Sequence, residues 1–386
     1  MGVQRLQTYI EKYSLGKNIS LKSYGAKGFR IIIDGDSVSF FLYESASLPR
    51  IFGGEYFELR QYIDNFFKTL KDSGIEMTVV YDGIPPEEKR STIQQRRKTK
   101  CNNSLLLWDN LDNYSSDDQV PITRPGLIRN VMIEVLRKYN IPVIHAENEN
   151  DDLIVNIAKE QYFDAVLAKD TDFLIYNIKG YIPVHFLNIS SPNLNAVIIT
   201  RNDICRHFKL QAKMLPLFAF LAGNDVTHGN VKITECIKRL HYQLQPNILY
   251  NLSKFMQHKM DKIMQIIMQD IDIMEGMLIC YKKYNCMLSN NNKFFLEEPY
   301  YKAYKELHLE TEVALLLQRK VRCFTGSFSG FHLCLPEKLV EWRINVYGTI
   351  LKTPIDEYFW TMQTKNSSSE INNEYATPVW KKHTII

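Results

Sequence analysis

Seven acidic residues in the first 225 positions stand where they could act together: Asp34, Asp82, Glu149, Asp151, Asp170, Asp172 and Asp225. Asp34 and Asp82 each close a short apolar run, and Glu149-x-Asp151 enters a helical pattern. Asp170-x-Asp172 follows another apolar run, and Asp225 follows the apolar segment Leu215 to Ala222. Carboxylates gathered at one place repel one another, so some must protonate unless cations neutralise them. Oxygen donors without His or Cys favour Mg²⁺ or Mn²⁺ over zinc. Two such ions, roughly 4 Å apart, hold a phosphodiester between them, one activating water and the other stabilising the leaving oxygen. The implied chemistry is phosphodiester hydrolysis. Each acid alone also has a plainer reading: Asp-Gly after a strand is a common turn, Asp at a helix start is an N-cap, and Asp-x-Asp suits a solvated loop. The repeated placement after strands and the twice-used i, i+2 spacing favour the metal set, while the residues by themselves leave both readings open.

The elements that must position these acids alternate. Arg30-Ile31-Ile32-Ile33 is too short for a helix and reads as a buried strand running into Asp34-Gly35. Leu59, Tyr62, Ile63, Phe66, Phe67 and Leu70 recur at helical spacing, and Met77 to Tyr81 then forms a second strand ending at Asp82-Gly83. Leu127, Ile128, Val131, Met132, Val135 and Leu136 repeat the helical spacing, Ile141 to Ile144 makes a third strand, and a helix from about Asp151 to Gln161 leads to a fourth strand, Ala165 to Ala168. This alternation predicts an α/β fold with a mostly parallel central sheet flanked by helices. In such sheets ligands gather at the carboxyl ends of the strands, where the acids fall.

Composition excludes several classes. Of 386 residues, 45% are hydrophobic and 23% charged, which rules out a disordered or low-complexity chain. The longest apolar stretch, Met214 to Gly223, is well short of the roughly 18 residues of a membrane span, and no apolar signal core follows the N-terminus, so a soluble protein is expected. The seven cysteines form no C-x-x-C pair and read as free thiols. Net charge is only +4, so a nucleic-acid partner must be argued from where the charges lie. Six of the twelve residues from Lys89 to Lys100 are basic: Lys89, Arg90, Arg96, Arg97, Lys98 and Lys100. Lys89 and Arg96 are seven apart and share one helical face just after Asp82, where phosphate could be gripped, although a run of charges is also what a solvated helix face looks like.

Taken in order, these motifs resemble the flap-endonuclease, XPG-like superfamily of structure-specific nucleases, and within it the asteroid family. The segments that carry the resemblance are Gly2-Val3-Gln4, Ile31 to Gly35, Phe52-Gly53-Gly54-Glu55-Tyr56, Tyr81-Asp82-Gly83, Leu127-Ile128-Arg129, Glu149-x-Asp151, Asp170-x-Asp172 and Leu215-Pro216-Leu217-Phe218 leading to Gly223-Asn224-Asp225. It covers roughly residues 1 to 230. It implies a PIN-like nuclease core over 1–230 with a helical arch insertion over 85–125; beyond it, Leu252, Met256, Met260, Ile263 and Ile267 at helical spacing predict a mainly helical region over 231–363, and the polar stretch from Thr364, with Asn366-Ser367-Ser368-Ser369, a flexible tail over 364–386. It implies that all seven acids are metal-site and catalytic positions for two Mg²⁺ or Mn²⁺ ions, with Lys89 and Arg96 as the basic pair that steers the scissile phosphate. Gly2, Lys89, Arg90, Arg96, Arg97, Lys98 and Lys100 would meet single-stranded or junction-containing DNA, with RNA as an alternative substrate. A nuclear monomer acting in DNA repair, without membrane association, is the corresponding expectation. A nuclease-like scaffold for nucleic-acid binding or signalling is the alternative. Two positions depart from the family pattern: Arg5 stands where glycine is common, and Val226 to Lys232 lacks the glycine-rich turn that usually follows the last acid.

Overall fold

The computed structural model describes residues 2–48, 54–83, 125–189, 193–228, 230–286 and 300–307, short pieces between 95 and 110, and the backbone of 355–363 and 377–385. One compact unit comprises residues 1–49, 54–89 and 124–293. In chain order it contains α1 (Leu6–Tyr13), β1 (Lys17–Ser20), α2 (Leu21–Gly25), β2 (Arg30–Asp34), α3 (Gly35–Ser45), α4 (Tyr56–Asp72) and β3 (Glu76–Tyr81). There follow α5 (Ile128–Lys138), β4 (Val143–His145), α6 (Asn150–Glu160), β5 (Ala165–Ala168), β6 (Tyr181–Pro183) and β7 (Asn195–Ile198). The unit continues through α7 (Arg201–Phe208), α8 (Leu215–Ala222), α9 (Asp225–His228), α10 (Val231–Gln243), α11 (Ile248–His258), α12 (Met260–Met268) and α13 (Ile271–Tyr284).

The parallel sheet expected from the sequence is present. Its five strands run in the order β4-β3-β2-β5-β6, every neighbouring pair parallel. Their side chains explain why: Ile31, Ile32, Ile33, Val79, Val80, Val166 and Leu167 are all at most 1% exposed, so both faces of the central strands are covered, as parallel strands require. α4 buries Leu59, Ile63, Phe66, Phe67 and Leu70 on one stripe and packs against α5. β1 and β7 form a separate antiparallel pair.

The register fixes where the acids arrive. β2 is central; Asp34 pairs with Val80 of β3, and Ile33 pairs with Leu167 of β5. Asp82 and Asp170 therefore each lie two residues beyond the row of Asp34, on its two sides. The helices from α10 onward share the core of this unit: Ile233, Ile237, Leu252, Met256, Ile263, Ile267 and Cys280 are buried in one cluster with Val166 and Phe218. α13 rests on α8, where Gly276 leaves room for Phe220 and Ile233 and the Cys280 thiol donates to the Pro216 carbonyl.

A second unit comprises 50–53, 90–123 and 294–386. Its described elements include α14 (Tyr300–Lys305) and an antiparallel hairpin, β8 (Ile355–Gln363) with β9 (Thr377–Ile385). Residues 377–385, which the sequence reading puts inside a polar tail, are thus a strand.

Candidate metal centre

Asp34 ends β2 and caps α3, accepting the Ser37 amide at 3.2 Å. It is 6% exposed, and burial, followed by repulsion from Asp36, pushes its carboxyl above the ordinary range. Gly35 is needed beside it: a Cβ there would lie 2.7 Å from the Tyr81 ring. Asp82 follows β3. Its Oδ1 accepts the Asn150 backbone amide at 2.8 Å, while the Asn150 side chain donates to Asp34 Oδ1 at 3.1 Å, so Asn150 ties the two carboxylates together. Burial, then Asp36 and Asp34, push Asp82 up to about 8.

On the other side of β2, Asp170 caps the 3-10 turn Thr171–Leu174 and accepts the Asp172 amide at 3.0 Å. Burial, then Asp172, push it up to about 7. Gly2 packs directly on it with φ of +94°, and a Cβ there would come within 2.1 Å of Asp170 Oδ1. Asp151, in the first turn of α6, is raised well above the ordinary range, chiefly by burial, against the opposing pull of Lys283. Glu149 is the N-cap of the same helix and adds negative potential at Asp82 and Asp151.

Asp172 is held differently. It is 1% exposed; its Oδ2 accepts from Lys283 Nζ at 2.7 Å and its Oδ1 from the Tyr284 hydroxyl at 2.7 Å. Lys283 Nζ also lies 3.8 Å from Asp151 Oδ2. Burial pulls the Lys283 ammonium down, but Asp172 and Asp151 outweigh it, so its pKa stands well above the ordinary value. Asp225 opens α9 next to Asn224, which is fully buried and donates to the Tyr284 hydroxyl at 3.1 Å.

The edge thus brings together Asp34, Asp82, Glu149, Asp151, Asp170 and Asp172, with Asp225 linked to it through Asn224 and Tyr284. Lys89, Arg90, Arg96, Arg97 and Lys100 lie outside the described residues, and Lys98 is exposed. Four residues that shape the edge, Asp36, Asn150, Lys283 and Tyr284, are absent from the sequence reading, and Arg129 enters it only within the Leu127-Ile128-Arg129 motif. Asp36 accepts the Asp82 amide at 2.8 Å and pairs with Arg129 at 3.0 Å, and Arg129 also donates to the Asp82 carbonyl at 2.6 Å. Asp36 repeats the i, i+2 spacing with Asp34, and Asn150 sits inside Glu149-x-Asp151, so both carry a local signal. Lys283 and Tyr284 carry none, being 111 and 112 positions from Asp172. The departure at Arg5 has a backbone reason, since Arg5 adopts φ of +62°, the region glycine favours, and its guanidinium meets His241 Nδ1 at 3.2 Å.

Among the described residues, no three His, Cys, Asp or Glu side chains are already disposed to hold one ion. The donor chemistry at Asp34, Asp82, Asp151 and Asp170 nonetheless fits a hard divalent cation. These are buried carboxylates whose affinity for protons is raised chiefly by burial, and a cation would compensate their charge in place of a proton. Asp172 fits less well, because both of its oxygens already have partners.

The chain pairs a five-stranded parallel sheet with acids at its carboxyl edge, and the XPG I-region family model matches residues 140–225. In sequence the chain is similar to the asteroid proteins. It is 30% identical over 259 residues to the single-strand DNA endonuclease ASTE1 of Danio rerio, covering 64% of this chain and 35% of that protein. It is 28% identical over 190 residues to protein asteroid of Drosophila melanogaster, covering 49% of this chain and 21% of that protein. The chain therefore spans about a third or less of the length of these relatives. Flap endonuclease-1 from Methanococcus jannaschii superposes with a TM-score of 0.47 at 20% identity, covering 75% of this chain and 86% of that one.

Proposed function

We propose that this chain is a divalent-metal-dependent endonuclease that hydrolyses phosphodiesters in single-stranded or junction-containing DNA. The observation that carries the reading is the convergence of Asp34, Asp82, Asp151 and Asp170 on one strand edge, each held above its ordinary pKa. Burying like charges together is costly and is found where function requires it. The XPG I-region and the relative named a single-strand DNA endonuclease support the same reading.

Asp34, Asp82, Asp151 and Asp170 would hold Mg²⁺ or Mn²⁺, with Glu149 and Asp225 at the margin of the set. When bound, the ion supplies Lewis-acid chemistry at the phosphodiester and acidifies water for attack. Asn150 orients two of the ligands through its backbone amide and its side chain. Arg129 and Asp36 hold the backbone at Asp82 from behind, which fixes the direction in which that carboxylate points. Lys89 and Arg96 are the groups for gripping the scissile phosphate, and Gly2, Arg90, Arg97, Lys98 and Lys100 would lie along the DNA. Action in nuclear DNA repair accords with such an activity.

A second reading, a nuclease-like scaffold without turnover, is favoured by the engagement of Asp172 with Lys283 and Tyr284. Purified protein incubated with Mn²⁺ and labelled single-strand, 5′-flap, 3′-overhang, blunt-duplex and RNA substrates separates the two, beside Asp34→Ala. Metal-dependent cutting lost in Asp34→Ala is the expected result. Absence of cutting by either protein, with DNA binding retained in EDTA, would leave the scaffold.

A further inference from the structure

One cation is already built into the acidic edge. Lys283 projects from the last turn of α13, a helix whose place is set by Gly276 against Phe220 and Ile233 and by Cys280 against Pro216. Its side chain is 11% exposed, and its ammonium lies 2.7 Å from Asp172 Oδ2 and 3.8 Å from Asp151 Oδ2. The remaining oxygen of Asp172 is taken by the Tyr284 hydroxyl, itself fixed by Asn224. For Asp172 to ligate a metal, the ammonium would have to leave a buried carboxylate and the tyrosine would have to release the second oxygen. A divalent ion and an ammonium within a few ångströms also repel each other strongly in so dry a place. Among the described residues, the donors that reach the carboxylates on the Asp34 and Asp82 side, the Ser37 amide and the two Asn150 groups, are neutral and leave the negative charge in place.

We infer that Lys283 stands permanently where a second metal ion would otherwise bind, so that the chain takes one divalent ion, on the Asp34–Asp82 flank. The inference rests on the metal-dependent reading above. It makes Lys283 a positioning residue: it neutralises Asp172 and confines the exchangeable ion to one flank.

The test is the number of Mn²⁺ ions bound per chain, measured by titration calorimetry and by the free Mn²⁺ resonance, with the metal alone and no DNA. Wild type and Lys283→Arg should each bind one ion. Lys283→Ala should bind two, and its melting temperature should rise more on adding Mn²⁺ than that of wild type, because the added ion replaces the lost ammonium. Two ions on wild type would overturn the inference while leaving the metal-dependent reading intact, and this measurement decides the matter even if Lys283→Ala fails to fold. A folded Lys283→Ala that still binds one ion would also overturn it. No Mn²⁺ on wild type would remove the metal-dependent reading and the inference together.

Discussion

The two flanks of the acidic edge neutralise their charge in different ways. On the Asp34–Asp82 flank the partners of the carboxylates among the described residues are neutral amides, and the nearby guanidinium of Arg129 is spent on Asp36 and on a backbone carbonyl. Burial raises the pKa of both carboxylates, and an ion from solution would compensate them. On the Asp172 flank the counter-charge is covalent, carried by Lys283 from a helix more than a hundred residues downstream. One flank is exchangeable and the other permanent. A buried carboxylate needs compensation of some kind, but only the exchangeable kind leaves a ligand free for chemistry.

The largest effect should come from removing the exchangeable flank. At neutral pH the metal-free Asp82 holds its proton, since burial and its acidic neighbours lift it to about 8, so Asp82→Asn closely mimics the resting side chain. The variant should keep its metal-free melting temperature and lose Mn²⁺-dependent cleavage altogether. Cleavage that survived in Asp82→Asn would show that this flank is not the reactive one. Asn150→Ala is the next step down. It removes the side-chain tie to Asp34 but keeps the backbone donor to Asp82, and should weaken Mn²⁺ affinity by roughly 10- to 100-fold, as loss of a ligand-orienting group does. Calorimetric titration checks this, and an unchanged affinity would mean that Asp34 is oriented without Asn150.

The contrast between the flanks also explains what was legible in the sequence. Asp34, Asp82, Asp170 and Asp172 follow strands that short β-branched runs announce, and parallel pairing brings such strand ends to one edge, so this part of the site could be read from pattern alone. Asp36 and Asn150 lie within one or two positions of those acids and were visible in principle, but Gly-Asp and Glu-Asn-Asp also suit turns and caps. Lys283 could not be read at all. In Tyr281-Lys282-Lys283-Tyr284 two lysines end a helix, where basic residues are common for dipole reasons, and nothing local says which of them turns inward. Only the packing of α13 on α8 does, through the buried Gly276 and Cys280. The C-terminal hairpin was likewise unread, since its second strand lies in a stretch that composition alone marks as polar.

The exchangeable flank should reveal itself through protons. Asp82 at about 8 and Asp170 at about 7 stand above the ordinary carboxylate value, so the folded metal-free protein binds more protons than the unfolded chain. These groups accordingly favour the fold most at low pH, and their contribution falls as pH rises through 7 and 8. Mn²⁺ must displace the same protons, so its affinity should rise from pH 6 to pH 8 by up to about tenfold per pH unit for each proton released. Calorimetry in buffers of different ionisation enthalpy counts the protons directly. A flat affinity across that range would mean that the ion binds elsewhere.

The smallest effect belongs to the permanent flank. Tyr284→Phe deletes two hydrogen bonds, the one donated to Asp172 and the one accepted from Asn224, and leaves the Asn224 side chain its contact with Cys280, while Lys283 still neutralises the carboxylate. Stability should fall by about 2 kcal/mol, at roughly 1 kcal/mol for each of the two buried hydrogen bonds, with the number of bound Mn²⁺ ions unchanged. Denaturant unfolding of the metal-free protein measures the first and calorimetry the second. Were Tyr284→Phe to gain a Mn²⁺ ion, the hydroxyl rather than the ammonium would be what keeps Asp172 from a metal, and the permanence of this flank would lie in a hydrogen bond instead of a charge.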